Sequence, residues 1–222
     1  MATTTETGLQ APQFLQLMAF MSPAFPTGGF AYSHGLEWVI DAGEVTSPED
    51  VRAWIAALLV HGSGWNDAVL FACAFAANEA ARKDIDELAL ALAASRERAL
   101  ETSDLGQSFA KAAAIWPDAV AEYLHSYPVV VASVCKAVGF PKQLSLLAFL
   151  QAFSNNLIAV AVRLVPLGQT KGLEIMRDLM PIITATADRA MAATLADLGS
   201  STLLSDVAAM RHETQYSRVF RS

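Results

Sequence analysis

Apolar residues recur along this chain mostly at intervals of three and four. Val51, Trp54, Ile55, Leu58 and Leu59 form the stripe of an amphipathic helix. Ser47-Pro48-Glu49-Asp50 precedes it with a capping serine, a first-turn proline and early acids, and Gly62 and Gly64 are expected to end it. The next segment, DAVLFACAFAANEAARK, is apolar on almost every face and predicts a central buried helix capped by Asn66. Asp84 is expected to cap IDELALALAAS, and a more polar helical pattern runs from about Arg96 to Trp116, up to Pro117. Pro117 and Pro128 sit where first-turn prolines belong. Gly139 and Pro141 separate two further helices, the second from about Lys142 to Leu164, stopped by Pro166 and Gly168. Another starts near Thr170 and runs towards Leu195, with Pro181 expected to kink or break it. Gly199-Ser200-Ser201 reads as a loop and Leu203 to about Gln215 as a last helix. No alternating run supports a strand, and Val129-Val130-Val131 sits inside a helical pattern. The pattern predicts one all-α domain over 1–222, a bundle of about eight to ten helices. Residues 1–10 and 211–222 are expected to be flexible ends.

Composition sharpens this picture. Hydrophobic residues make up 54 % and charged residues 17 % of the 222, against about 25 % charged in an average domain. A chain so poor in charge is expected to cover part of its surface with a partner or a twin subunit. Net charge is −7 and Lys plus Arg total 15, with no basic run longer than two, which argues against nucleic-acid binding. Cys73 and Cys135 are far apart in apolar segments and read as reduced thiols of a cytoplasmic protein. The N-terminus shows no basic and apolar leader pattern. The long uncharged run Gln143 to Val162 carries glutamines, serines and asparagines, so a buried helix is expected there and no membrane span.

The sequence offers no positive sign of catalysis, and no catalytic or cofactor-binding residue is expected. Gly28-Gly29 is not followed by the lysine of a phosphate loop, and the first lysine of the chain is Lys83. His34, His61, His125 and His212 are dispersed, and His212-Glu213 lacks the second histidine of a zinc pair because Tyr216 stands there. A helix starting near Ser33 would put His34 and Glu37 on one face, at most two ligands.

Two segments remain distinctive. FPTGGFAYSHGLEW, residues 25 to 38, combines paired glycines with Phe25, Phe30, Tyr32 and Trp38, and Ser33 can cap the helix that follows. These aromatics either anchor a turn to the core or present a surface to a partner. The C-terminus, MRHETQYSRVFRS, alternates arginines with Tyr216, Val219 and Phe220, the residue types enriched at interfaces.

Four blocks resemble the urease accessory protein F family: SPAFPTGGFAYSHGLEW, YPVVVASVCKAVGFP, FSNNLIAVAVRLVPLGQT and MRHETQYSRVFRS. The resemblance covers essentially the whole chain. It implies a non-enzymatic, all-helical, homodimeric scaffold in nickel delivery to apo-urease. Such a protein bridges the accessory protein called D or H and the nickel-carrying GTPase called G, with GTP held by the latter. By matching position, the resemblance assigns partner binding to Arg211, His212, Glu213, Tyr216, Arg218, Phe220 and Arg221. It gives Gly28, Gly29, Tyr32 and Gly35 as a signature turn, and Ser33, His34 and Glu37 as a nickel passage. Arg163 and Gln169 match the third block, and Arg163 is expected to be paired in the core or at an interface. The alternative is a metallochaperone that holds nickel itself through His34, His212 and the cysteines; a helical enzyme unrelated to urease is the third reading.

Overall fold

The computed structural model describes residues 9–119, 121 and 123–221. The described residues form α-helices and 3-10 turns, as the periodicity requires. In chain order the helices are α1 (Ala11–Phe20), α2 (Leu36–Asp41), α3 (Pro48–His61), α4 (Ser63–Ala76), α5 (Glu79–Ala91), α6 (Arg96–Ala113), α7 (Tyr127–Val138), α8 (Lys142–Leu164), α9 (Gly168–Ala192) and α10 (Leu203–His212). Single 3-10 turns occupy Gly29–Ala31 and Leu195–Asp197.

The local signals that hold are those with full capping chemistry. Ser47 and Asp50 exchange hydrogen bonds at the head of α3, with Pro48 in the first turn. Pro128 sits in the first turn of α7, Gly139 (φ 82°) ends that helix, and α8 has the expected bounds.

Other boundaries differ. Gly64 does not end α3; Gly62 alone separates α3 from α4, so Asn66 lies inside α4 and accepts from the Gly199 N–H. The apolar run predicted as one helix breaks at Ala77, and Asn78, not Asp84, caps α5 by accepting from the Ala81 N–H. No helix starts at Pro117, which lies in a turn after α6. Pro181 does not break α9, because its face there is open to solvent and only one amide donor is lost.

The core sits between α4, α7 and α8. α8 lies along α9, α6 along α7, and α4 along α7, while α3 closes one side against α9. Phe71, Phe149, Leu146, Leu150, Val130 and Val134 are buried there. A second aromatic cluster joins Phe20 of α1 to Phe25, Phe109 and Trp116 at centroid separations of 5.4, 5.6 and 5.0 Å. Two charged side chains close helix ends across the core. Asp86 of α5 accepts from the N–H groups of His125 and Ser126 and from the Ser126 hydroxyl at the head of α7. Arg82 donates to the Ala74 and Ala77 carbonyls at the tail of α4. Pro48–Ala76 and Lys142–Leu164 are long and apolar enough to cross a membrane by length and composition alone; half or more of each window is buried in the fold.

Candidate functional site

The turn at residues 25–35 and the C-terminal residues meet in space. Pro26 and the left-handed Gly28 (φ 80°) bend the chain into the 3-10 turn. His34 (φ 53°) and Gly35 (φ 75°) then adopt successive left-handed conformations, and α2 begins at Leu36. Ser33 is therefore not the cap residue, although its hydroxyl accepts from the Glu37 N–H at 3.3 Å. Gly35 is required twice over. A Cβ there would lie 2.8 Å from the Ala209 nitrogen and 3.0 Å from the Ala208 Cβ, because α10 crosses the turn at contact distance.

The second bend sends His34 and Glu37 to different partners, so the expected single face does not form. Glu37 is buried and faces the C-terminal residues. Its Oε1 accepts from the Val219 N–H at 2.6 Å, and its Oε2 accepts from the Phe220 N–H at 2.9 Å. The same Oε2 lies 3.0 Å from His212 Nε2. The His212 ring has no solvent exposure, and its Nδ1 lies 2.8 Å from Oε2 of Glu97. The other Glu97 oxygen accepts from Arg218 at 2.6 Å, and the Glu97 N–H donates to Glu213 at 3.3 Å. The arm is thus mounted by two carboxylates, from α2 and α6, with a donor aimed at each oxygen. The Arg221 N–H donates to the Ala31 carbonyl at 2.7 Å, and Phe220 is buried below the mount.

Residues 211–221 therefore lie against the body, and the structure sorts the proposed binding residues into two sets. His212, Glu213, Arg218 and Phe220 hold the arm down. Tyr216 faces solvent fully, beside Val219, which was not among the proposed residues and is also exposed. The Arg211 guanidinium lies 5.3 Å from the Trp38 ring, and that of Arg163 lies 6.0 Å from the Phe220 ring. Arg163 is exposed and has no ion pair among the described residues, because the helix end that carries it faces solvent; Gln169 is likewise exposed, in the first turn of α9. Of the turn aromatics, Phe25 joins the core and Tyr32 is buried with its hydroxyl on Asp104, while Phe30 is exposed and Trp38 lies half-buried under Arg211.

His34 belongs to a separate charged cluster. Its Nε2 lies 2.8 Å from Glu101 Oε1, and Arg98 pairs with the other Glu101 oxygen. Burial and the Arg98 charge lower the His34 pKa against the pull of Glu101. The same Nε2 also lies 3.0 Å from Arg98 Nη1, and Nδ1 lies 3.5 Å from the Ser63 hydroxyl. Burial alone would raise the Glu101 carboxyl, but Arg98 and His34 outweigh it and hold its pKa at about 2. Asp67 lies beside this cluster, pushed up to about 6 by burial. His34, Asp67 and Arg98 line both a cavity of about 190 Å³, which reaches Asp206 and Ser200, and one of about 40 Å³, which reaches Asn156 and Gly29.

Glu97, Glu101, Arg98 and Asp67 were not singled out in the sequence. Their signal is weak: a polar stripe on α6 and one acid in an apolar helix. Cys135 is buried and its pKa pushed up to about 12, and Cys73 is partly buried, so both are poor thiolate ligands.

The UreF family profile matches residues 45–180 of the chain. The urease accessory protein UreF of Ruegeria pomeroyi is 47 % identical over 224 residues, covering 100 % of both chains. That of Mesorhizobium japonicum is 47 % identical over 213 residues, covering 94 % of this chain and 96 % of its own. That of Bradyrhizobium sp. is 44 % identical over 227 residues, with 97 % and 95 % covered.

Proposed function

This chain belongs to the UreF family of urease accessory proteins, and from that premise we propose that it is a non-enzymatic scaffold of nickel insertion. It bridges the D/H accessory protein and the GTPase G on apo-urease, acts as a homodimer in the cytoplasm, and leaves GTP to the partner. The observation that supports this reading most is the division of labour in the C-terminal arm. His212, Arg218 and the backbone at Val219 and Phe220 are consumed in fixing the arm. Tyr216 and Val219 are left outward on that fixed mount. An exposed aromatic and aliphatic pair on a backbone already hydrogen-bonded at Val219 and Phe220 has the form of an interface anchor, because less chain entropy remains to be lost on contact.

Nickel, as cargo, is proposed to pass beside His34 and not Glu37. Glu37 is saturated by the arm, whereas His34 and Asp67 border both cavities. No observation favours the chaperone that stores nickel itself, since the rings of His34 and His212 are engaged by carboxylates on separate clusters.

Co-purification with the D/H protein tests the scaffold reading. Replacing Tyr216 and Val219 by alanine leaves every mounting contact intact and is expected to abolish capture. Full retention by the double variant would refute the role of the arm.

A further inference from the structure

We propose that a proton holds the C-terminal arm down: His212 bridges Glu37 and Glu97 as an imidazolium, and the arm lets go as rising pH removes that proton. Only the consequence for partner capture rests on the role proposed above for Tyr216 and Val219; the latch itself is measured without a partner.

The ring of His212 places Nε2 3.0 Å from Glu37 Oε2 and Nδ1 2.8 Å from Glu97 Oε2. An ionised carboxylate only accepts, so each contact needs an N–H from the ring. A neutral imidazole carries one N–H and an imidazolium carries two. Two acids, one on each ring nitrogen, therefore need one proton more than a neutral ring supplies.

The neighbours put that proton on the ring. The two Glu37 oxygens accept from the Val219 and Phe220 N–H groups, and the second Glu97 oxygen accepts from Arg218. Oxygens so served by donors suit ionised carboxylates. With an imidazolium, Glu37, Glu97, Arg218 and His212 sum to zero charge. With a neutral ring they leave one unbalanced negative charge around a side chain that has no solvent exposure. Glu37 faces the ring from α2, Glu97 from α6 and Arg218 from the arm. The remaining charged groups nearby are turned elsewhere. Arg211 lies over Trp38, Arg163 lies over Phe220, and Glu213 takes the Glu97 N–H. Arg98 and Glu101 of α6 pair with each other and with His34.

The proton and the arm share the same two carboxylates, so they are coupled. Loss of the proton leaves a ring lone pair against one acid and removes the charge that keeps the two acids together. Release of the arm opens the ring to water, where a histidine keeps its second proton only below about pH 6.5. Above that pH the docked arm binds one proton more than the released arm. Docking must then weaken as pH rises, by up to about tenfold per pH unit.

The test is hydrogen exchange of the full chain between pH 6.5 and 8.5, read as protection factors so that the intrinsic pH dependence of exchange is removed. Protection at the Val219 and Phe220 amides should fall by up to about tenfold per pH unit, while core amides of α7 hold steady. In His212→Gln, whose side chain donates but does not titrate, arm protection should be lower at pH 6.5 and flat with pH. Nitrogen-15 NMR of the wild-type histidine rings at pH 7.5 is an independent reading that does not need the variant to fold. It should show a ring with both nitrogens protonated. Flat arm protection in the wild type, a slope that survives in His212→Gln, or no doubly protonated ring at pH 7.5 would each overturn the proposal, and none of them bears on whether Tyr216 and Val219 meet the D/H protein.

Discussion

Glu37 is the residue on which the arm depends most. Its carboxylate takes two backbone N–H groups and faces the His212 ring. Glu37→Gln keeps the shape but removes the charge and turns one acceptor into a donor. Hydrogen bonds to charged groups contribute about 1.5–3 kcal/mol each. The arm should detach while the helices stay folded, and hydrogen exchange at the Val219 and Phe220 amides should accelerate towards unprotected rates. Unchanged protection would mean that the mount lies elsewhere. Asp67 supplies a test by pH. Its folded pKa is raised by burial from 3.8 to about 6, so between those values the folded state binds more protons than the unfolded one. Stability must then fall as pH rises through that window, by at most about 3 kcal/mol for this group. Glu101 acts in the opposite sense and lower down, its contribution being lost as pH falls from 4.5 towards about 2. Urea unfolding of Asp67→Asn between pH 4 and 6 should lack the Asp67 slope and show a more stable protein at neutral pH; a slope equal to that of the wild type would contradict the assignment.

At the scale of elements, the crossing of α10 over the turn before α2 joins the two distinctive segments. Gly35→Ala must place a side chain at positive φ and against the α10 backbone. The left-handed conformation alone costs about 1–2 kcal/mol, and the contact adds to it. Thermal unfolding should show a lowered midpoint, with the arm released together with α10; a midpoint equal to that of the wild type would mean that the turn and α10 are not in contact. How far the elements could be read from sequence follows from their punctuation. α3, α7 and α8 were legible because serine, proline and glycine mark their ends. α1 was missed because its ten residues hold no charge, and its start carries Pro12 and a Gln10–Gln13 pair in place of a capping serine or aspartate. The α4 and α5 boundaries were misplaced because Asn66 and Asp84 are good caps that the fold uses otherwise. Asn66 serves the distant Gly199 loop, and α5 already has Asn78.

For the whole molecule, the fold class was legible and the turn and C-terminal segments stood out by composition, but their meeting was not legible. His212 and Glu37 are 175 positions apart, and no local pattern encodes a contact at that separation. Nor does spacing reveal that His34 and Glu37, three residues apart, serve two different clusters, since that follows from two left-handed residues ahead of α2. The assembled picture is a helical body with three outward features: the mounted arm, the charged cavities around His34, and the neutral α1 face. The most direct measurement is the native mass of complexes recovered when the D/H protein and the GTPase are co-expressed with and without this chain. The account predicts one complex containing all three proteins, and no association of the two partners when the chain is omitted. Recovery of the two partners bound to each other in its absence, or failure to join them in its presence, would contradict it.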